Sequence, residues 1–337
     1  MRGRICLTVF FVVLTFDCLS VDGSSIDELR VQSAFAIQNG LDFIAARQTA
    51  TGGFITDCWN VNNPEERNEL DVTFTASQIL FSLSFCSESA SARGTCQRAA
   101  SYLLAQKSPE GLFNYYGKAT PRPVPPDVDD TSTAWAALKR TGQSVPKEAL
   151  ATVKKNVNAA GVFNTWIGNP PDPGDLDAVV NLNALLLFGL EGETVDAACK
   201  FALSKAQLEQ FRNGSPYYES PMSFAYAFSR AYVDGHAQCL ADGAEKVRSA
   251  VLSLQKPDGG WGDDLETAHG VVALLNFGYR GEAIERGVRA ILSRQNADGG
   301  WALATVYRGI GVASRYGART ITTALCTEAL TKYRAQK

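Results

Sequence analysis

The chain has 337 residues, with 32 basic and 35 acidic side chains and a formal charge of -3. That near balance, with no basic block, excludes a nucleic-acid partner. Hydrophobic residues make up 45% of the chain, enough for a large core, and beyond the N-terminus no run is long and apolar enough to span a bilayer.

The first residues read MRGRICLTVFFVVLTFDCLSVDG. Two arginines precede an apolar run from Ile5 to Phe16, and small residues follow at Ser20 and Gly23. This is the layout of a secretory signal peptide over 1–23, with a signal anchor as the alternative. The expected product is a secreted, monomeric single domain over 24–337 without a stable membrane span. Removing the signal takes away Cys6 and Cys18 and leaves Cys58, Cys86, Cys96, Cys199, Cys239 and Cys326. An even set in an exported chain permits disulfides, and Cys86 with Cys96, flanking a short polar loop, is the expected pair. No Cys-x-x-Cys supports zinc or redox chemistry. Asn213-Gly-Ser215 is a glycosylation sequon, weakened by the proline that follows.

Internal repetition organises the rest. In chain order, Gly-aromatic turns end at Phe54 (AARQTATGGF), Phe113 (LAQKSPEGLF) and Phe163 (AAGVF). A degraded copy ends at Tyr218 (NGSPYY), and two near-identical ones contain Trp261 (LSLQKPDGGWGDD) and Trp301 (LSRQNADGGWALA). Each follows a segment with helical apolar spacing and precedes a second helical segment rich in small residues. The second segments read DVTFTASQILFSL, DDTSTAWAALKR, DAVVNLNALLLFG, FAYAFSRAY, DLETAHGVVALLNFG and TITTALCTEAL. Four of them open with aspartate, at Asp71, Asp130, Asp177 and Asp264, each an expected N-cap. Strand signals are nearly absent.

The repeating unit is therefore helix, Gly-aromatic turn, helix. Small residues in every second helix suit crowding around an axis. We expect an all-α chain: a closed (α/α)6 barrel of six helical hairpins. Equivalent helix starts share one rim, so Asp127, Asp129 and Asp130 should converge there with Asp175 and Asp177, and with Asp263, Asp264 and Glu266.

The repeated Gln-x-x-Asp-Gly-Gly-Trp resembles the QW motif of triterpene cyclases. Pro-Pro-Asp-Val-Asp-Asp-Thr-Ser-Thr-Ala, Pro125 to Ala134, looks like the DxDD acid motif of squalene–hopene cyclases and other class II terpene cyclases. The resemblance covers nearly the whole chain after the signal as one alpha-alpha toroid, the fold also shared by protein prenyltransferases. The second barrel of the squalene–hopene enzymes is missing. The resemblance implies protonation of an alkene or epoxide, with Asp129 as proton donor and Asp127 and Asp130 holding and polarising it. Crowded carboxylates cannot all ionise, so one keeps its proton. Cations would then be stabilised by aromatic faces. Phe74, Trp135, Phe224, Tyr226 and Phe228 are the candidate lining of the substrate pocket. His269 joins them, at a position matched to that of Trp135.

Other readings stay open. The aspartates are also explained by helix capping and a solvated rim, and the aromatic residues and His269 by core packing. No cofactor is expected, with calcium at Asp127, Asp129, Asp175 and Asp177 as the alternative, since it takes six to eight oxygens in flexible geometry. The substrate is then an isoprenoid, or a glycan handled by paired carboxylates as in other (α/α)6 enzymes. A non-catalytic ligand- or protein-binding toroid is the third possibility. The Asp-x-Cys and distant His of protein prenyltransferases, the DDxxD of class I synthases and the thioester motif of complement proteins are absent.

Overall fold

The computed structural model describes residues 22–118, 124–168, 176–309 and 313–336. The expected signal segment up to residue 21, and Asp175, lie outside the described residues. Among those described are twelve α-helices. The odd-numbered ones are α1 (Asp22–Ala46), α3 (Ala90–Gln106), α5 (Lys147–Lys155), α7 (Asp196–Gln207), α9 (Ala241–Ser253) and α11 (Glu282–Ser293). The even-numbered ones are α2 (Thr73–Leu83), α4 (Val128–Arg140), α6 (Ala178–Leu190), α8 (Pro221–Val233), α10 (Asp264–Asn276) and α12 (Arg319–Ala335).

The even helices form an inner ring in which each packs on the next and α12 packs on α2. Every residue of α2 is buried, as is α6 from Ala178 to Phe188. Burial on all sides is what an inner position demands, and it explains the lack of a polar face in these segments. The odd helices form the outer layer. In α5 and α11 apolar residues keep to one buried face. The expected (α/α)6 barrel is the observed fold, and none of the described helices is long and apolar enough to cross a membrane.

The glutamines of the repeats tie neighbouring outer helices together. Gln48 Nε2 donates to Gly52 O (2.8 Å) and, in α3, to Thr95 O (3.1 Å). Gln255 Nε2 reaches Gly259 O (2.8 Å) and, in α11, Ala283 O (2.7 Å). Gln295 Nε2 donates to Gly299 O (2.8 Å) and, across the seam, to Ala36 O of α1 (2.9 Å). The last contact joins the sixth hairpin to the first and closes the ring. The indoles of Trp261 and Trp301 are buried beneath these turns, donating to Val251 O (2.7 Å) and Ile291 O (2.8 Å).

Gly299 meets backbone across the seam. Its φ of +85° is unfavourable for a residue with a Cβ, and a Cβ there would lie 2.5 Å from Asn39 O. Gly278 has φ +68° with open space around it. Gly278→Ala should therefore show the conformational cost alone, about 1–2 kcal/mol. Gly299→Ala should exceed it by about 1–3 kcal/mol, because backbone must also move. Equal costs in chemical denaturation would contradict close packing at the seam.

Three expectations need correction. A four-stranded antiparallel sheet exists, in the order β2-β1-β4-β3, built from β1 (Ile55–Asn60), β2 (Asn63–Asp71), β3 (Tyr307–Arg308) and β4 (Ser314–Gly317). Its longest strand, NPEERNELD, is almost wholly exposed, so no apolar alternation marks it. The disulfide joins Cys199 to Cys239, tying α7 to the turn before α9, while Cys86 and Cys96 are free thiols. Nearness in sequence did not make a pair: the Cys86 thiol lies against the Thr331 hydroxyl of α12 at 3.2 Å. Of the four aspartates expected as caps, only Asp177 is one, accepting from Val179 N and Val180 N. The caps of α4 and α10 are Asp127 and Asp263, and Val72 precedes α2. Asp71 instead accepts the Tyr102 hydroxyl at 2.5 Å.

Candidate active site

The start of α4 brings three carboxyls to one end of the barrel axis. Asp127 has extended backbone, so its Oδ1 folds over the helix end and accepts from Asp130 N at 2.6 Å. Asp129 and Asp130 then fall in the first helical turn. All three side chains are buried, and all three line a cavity of about 260 Å³. Most of the remaining wall is aromatic: Phe74, Tyr115, Tyr116, Trp166, Tyr217, Tyr218, Tyr307 and Tyr316. Tyr307 and Tyr316 come from β3 and β4 and stack with centroids 5.1 Å apart, so the unexpected sheet supplies part of the cavity wall.

Both carboxyl oxygens of Asp129 are engaged. Its Oδ1 accepts from Asn183 Nδ2 of α6 at 2.6 Å, and its Oδ2 meets the Tyr218 hydroxyl. Burial and the charge of Asp127 push it up to about 7, against the opposing pull of those two hydrogen bonds. Asp130 is pushed well above the usual carboxylate range, first by burial and then by Asp127, and its Oδ2 has no hydrogen-bond partner among the described residues. The arrangement shifts buried carboxyls that face an aromatic chamber toward their protonated form. Asp177 is buried too but serves structure. Its oxygens accept from Val179 N, Val180 N, Ser215 Oγ (2.7 Å) and Tyr217 N (2.9 Å).

Of the four residues of the calcium alternative, Asp127, Asp129 and Asp177 are described and Asp175 lies outside the described residues. Among the described residues no group of three His, Cys, Asp or Glu side chains is placed to share a metal. Asp177 has both oxygens occupied by donors.

The aromatic candidates divide. Phe74 lines the main cavity and also a smaller one of about 30 Å³ beneath it, where Tyr226 and His269 stack with centroids 4.6 Å apart. His269 is neutral, held down to about 3 by burial and by the Arg230 charge, and its Nδ1 has no hydrogen-bond partner among the described residues. Trp135 does not reach either cavity. Its indole donates to Gly111 O at 2.6 Å and its ring packs edge-on against Phe113. The match to His269 fails because the true caps are Asp127 and Asp263. Trp135 stands eight residues past its cap and His269 six, a difference of about 200° around the helix. Phe224 and Phe228 pack outward, against Phe211 (4.7 Å) and Phe277 (6.3 Å).

Sequence reasoning missed Tyr218, Asn183, Arg230 and the tyrosines of the wall. One signal was present: the doubled tyrosines 115–116 and 217–218 each follow a Gly turn of the repeat. One cation, Arg308, lines the cavity among the described residues; Glu219 lies 4.0 Å away and pairs with Arg315 at 2.7 Å.

The model of the sesquiterpene cyclase astC-like C-terminal domain matches residues 96–191, which include α4, its three aspartates and Asn183. No curated protein matches the chain. Among solved structures, a variant of the type II terpene cyclase MstE from Scytonema, in complex with geranylgeranyl dihydroxybenzoate as substrate, is 15% identical with a TM-score of 0.73. The match covers 91% of this chain and 99% of that one. The ent-copalyl diphosphate synthase from Streptomyces platensis is 17% identical with a TM-score of 0.59, covering 78% of this chain and 50% of that one. A possible member of the GH105 family from Salmonella enterica is 12% identical with a TM-score of 0.57, covering 97% and 99%. At these identities the likeness is one of fold. The chain is a terpenoid-cyclase-like α/α toroid.

Proposed function

We propose that the protein is a class II isoprenoid cyclase, in which Asp129 protonates the terminal alkene of a polyprenyl chain. The observation that carries this is a buried carboxyl facing an aromatic cavity, pushed up to about 7 by burial and by the charge of Asp127. In the first step the O–H bond of Asp129 breaks and a C–H bond forms at the alkene, leaving a tertiary cation. The next double bond attacks that cation and closes a ring. Loss of a proton ends the cascade, so the product is an isomer of the substrate.

The chain's own residues account for each requirement. Asp127 shares the buried site and its charge opposes early ionisation of Asp129, while Asp130 beside them is itself pushed toward its protonated form by burial and by Asp127. The faces of Phe74, Tyr307 and Tyr316 stabilise positive charge without capturing it. An aromatic chamber suits a hydrocarbon chain better than a sugar polymer.

The test is incubation of the full chain with geranylgeranyl dihydroxybenzoate, geranylgeranyl diphosphate, farnesyl diphosphate and squalene. A cyclised isomer of at least one is expected by mass spectrometry. Silence across that panel would reject the proposal.

A further inference from the structure

Arg230 on α8 is a cation only 2% exposed, and it does not line the main cavity. Its guanidinium lies 4.7 Å from the ring centroids of both Phe81 and Tyr226. Its Nη2 donates to Asn183 Oδ1 at 2.6 Å. The other end of the same amide, Nδ2, donates to Asp129 Oδ1 at 2.6 Å. We propose that Arg230 is a positioning residue that acts through Asn183 to aim the proton of Asp129 at the cavity. This rests on the reading of Asp129 as the proton donor.

What each group can donate fixes the orientation of the amide. Arginine has donors and no acceptor, so the atom facing Arg230 has to be the oxygen of Asn183. The NH2 of Asn183 is thereby turned to Asp129. A donor facing Oδ1 leaves no room for a proton between them, so the acid carries its hydrogen on Oδ2. That oxygen meets the hydroxyl of Tyr218, which lines the cavity and serves equally as donor or acceptor. Without Arg230 the amide is free to rotate by a half turn and present its own oxygen. Asp129 would then hold its proton on Oδ1, bound to Asn183 and directed away from the substrate. The pattern fixes a proton's address, a task beyond the filling of space.

The test uses the full chain and infrared difference spectroscopy, reading the carboxylic C=O band that appears at acid pH and is absent from Asp129→Asn. In Arg230→Met this band should shift, because its carbonyl oxygen loses the Asn183 donor. Arg230→Lys, again a donor without an acceptor, should keep the wild-type band. Asn183→Leu should shift it, and adding Arg230→Met to Asn183→Leu should change nothing more. On any substrate the wild type cyclises, Arg230→Met should lower kcat by about 100-fold with KM nearly unchanged. Arg230→Gln replaces Arg230→Met if the latter does not fold, and its amide, able to present either atom, should give two bands. An unshifted band in Arg230→Met, a single wild-type band in Arg230→Gln, or additive effects in the double variant would overturn the assignment. Absence of wild-type turnover would instead reject the cyclase reading, and the infrared arm separates the two failures.

Discussion

Asp129→Asn should reduce cyclisation by at least about 10²–10⁴-fold, the range over which a positioned acid contributes, while leaving the fold intact. The substitution removes a proton source and little packing. Asparagine still accepts from Asn183 and still reaches Tyr218. The pH dependence carries the same signature. Asp129 is raised from its ordinary 3.8 to about 7, so between those values the folded chain holds a proton that the unfolded chain has lost. Its stabilising contribution is complete below about pH 4 and is lost as pH rises through about 7, at about 1.4 kcal/mol per unit. Activity should fall across the same alkaline limb, with an apparent midpoint that belongs to the coupled carboxyls together. Asp129→Asn should flatten the stability curve over that interval in urea titrations. A variant that kept full turnover, or a wild type equally active at pH 5 and pH 9, would remove Asp129 from the mechanism.

Trp301→Ala should be among the most damaging changes to stability, at about 3–5 kcal/mol. The ring is completely buried, and its Nε1 donates to Ile291 O at the end of the outer helix it follows. It also fills the seam. A Cβ on Gly40 of α1 would stand 3.3 Å from the indole, so the cavity left by alanine opens between the sixth and first hairpins. A fall in melting temperature of about 10 °C is expected. A loss below about 1 kcal/mol would mean that the ring's closure does not depend on this side chain.

How much of this was legible in the sequence varied with the kind of signal. The twelve helices and their closure followed from local signs: apolar spacing near 3.6, the Gly-aromatic turns, and small residues in alternate segments. The three aspartates were legible as a group because four positions hold them all, and one helix start fixes their relation. What holds Asp129 was not legible. Asn183 and Tyr218 lie 54 and 89 residues away in the chain, on neighbouring parts of the ring, and only the packing of α4 against α6 brings the amide to the carboxyl. A shift in assigning the caps had a larger consequence. It matched Trp135 to His269, although their directions differ by more than half a turn. The sheet was hidden for a different reason: its long strand is charged and exposed, and β3 has only two residues, too short to show alternation.

The most direct measurement is cyclisation in D2O, followed by mass spectrometry and NMR of the product. Protonation from an exchanged Asp129 should place one deuterium on the carbon that was the terminal alkene CH. Loss of an ordinary hydrogen at the end of the cascade then leaves the product one mass unit above its unlabelled isomer. The label should vanish together with turnover in Asp129→Asn. A cyclic product without deuterium at that carbon, or one still labelled and formed at full rate by Asp129→Asn, would contradict protonation by this carboxyl.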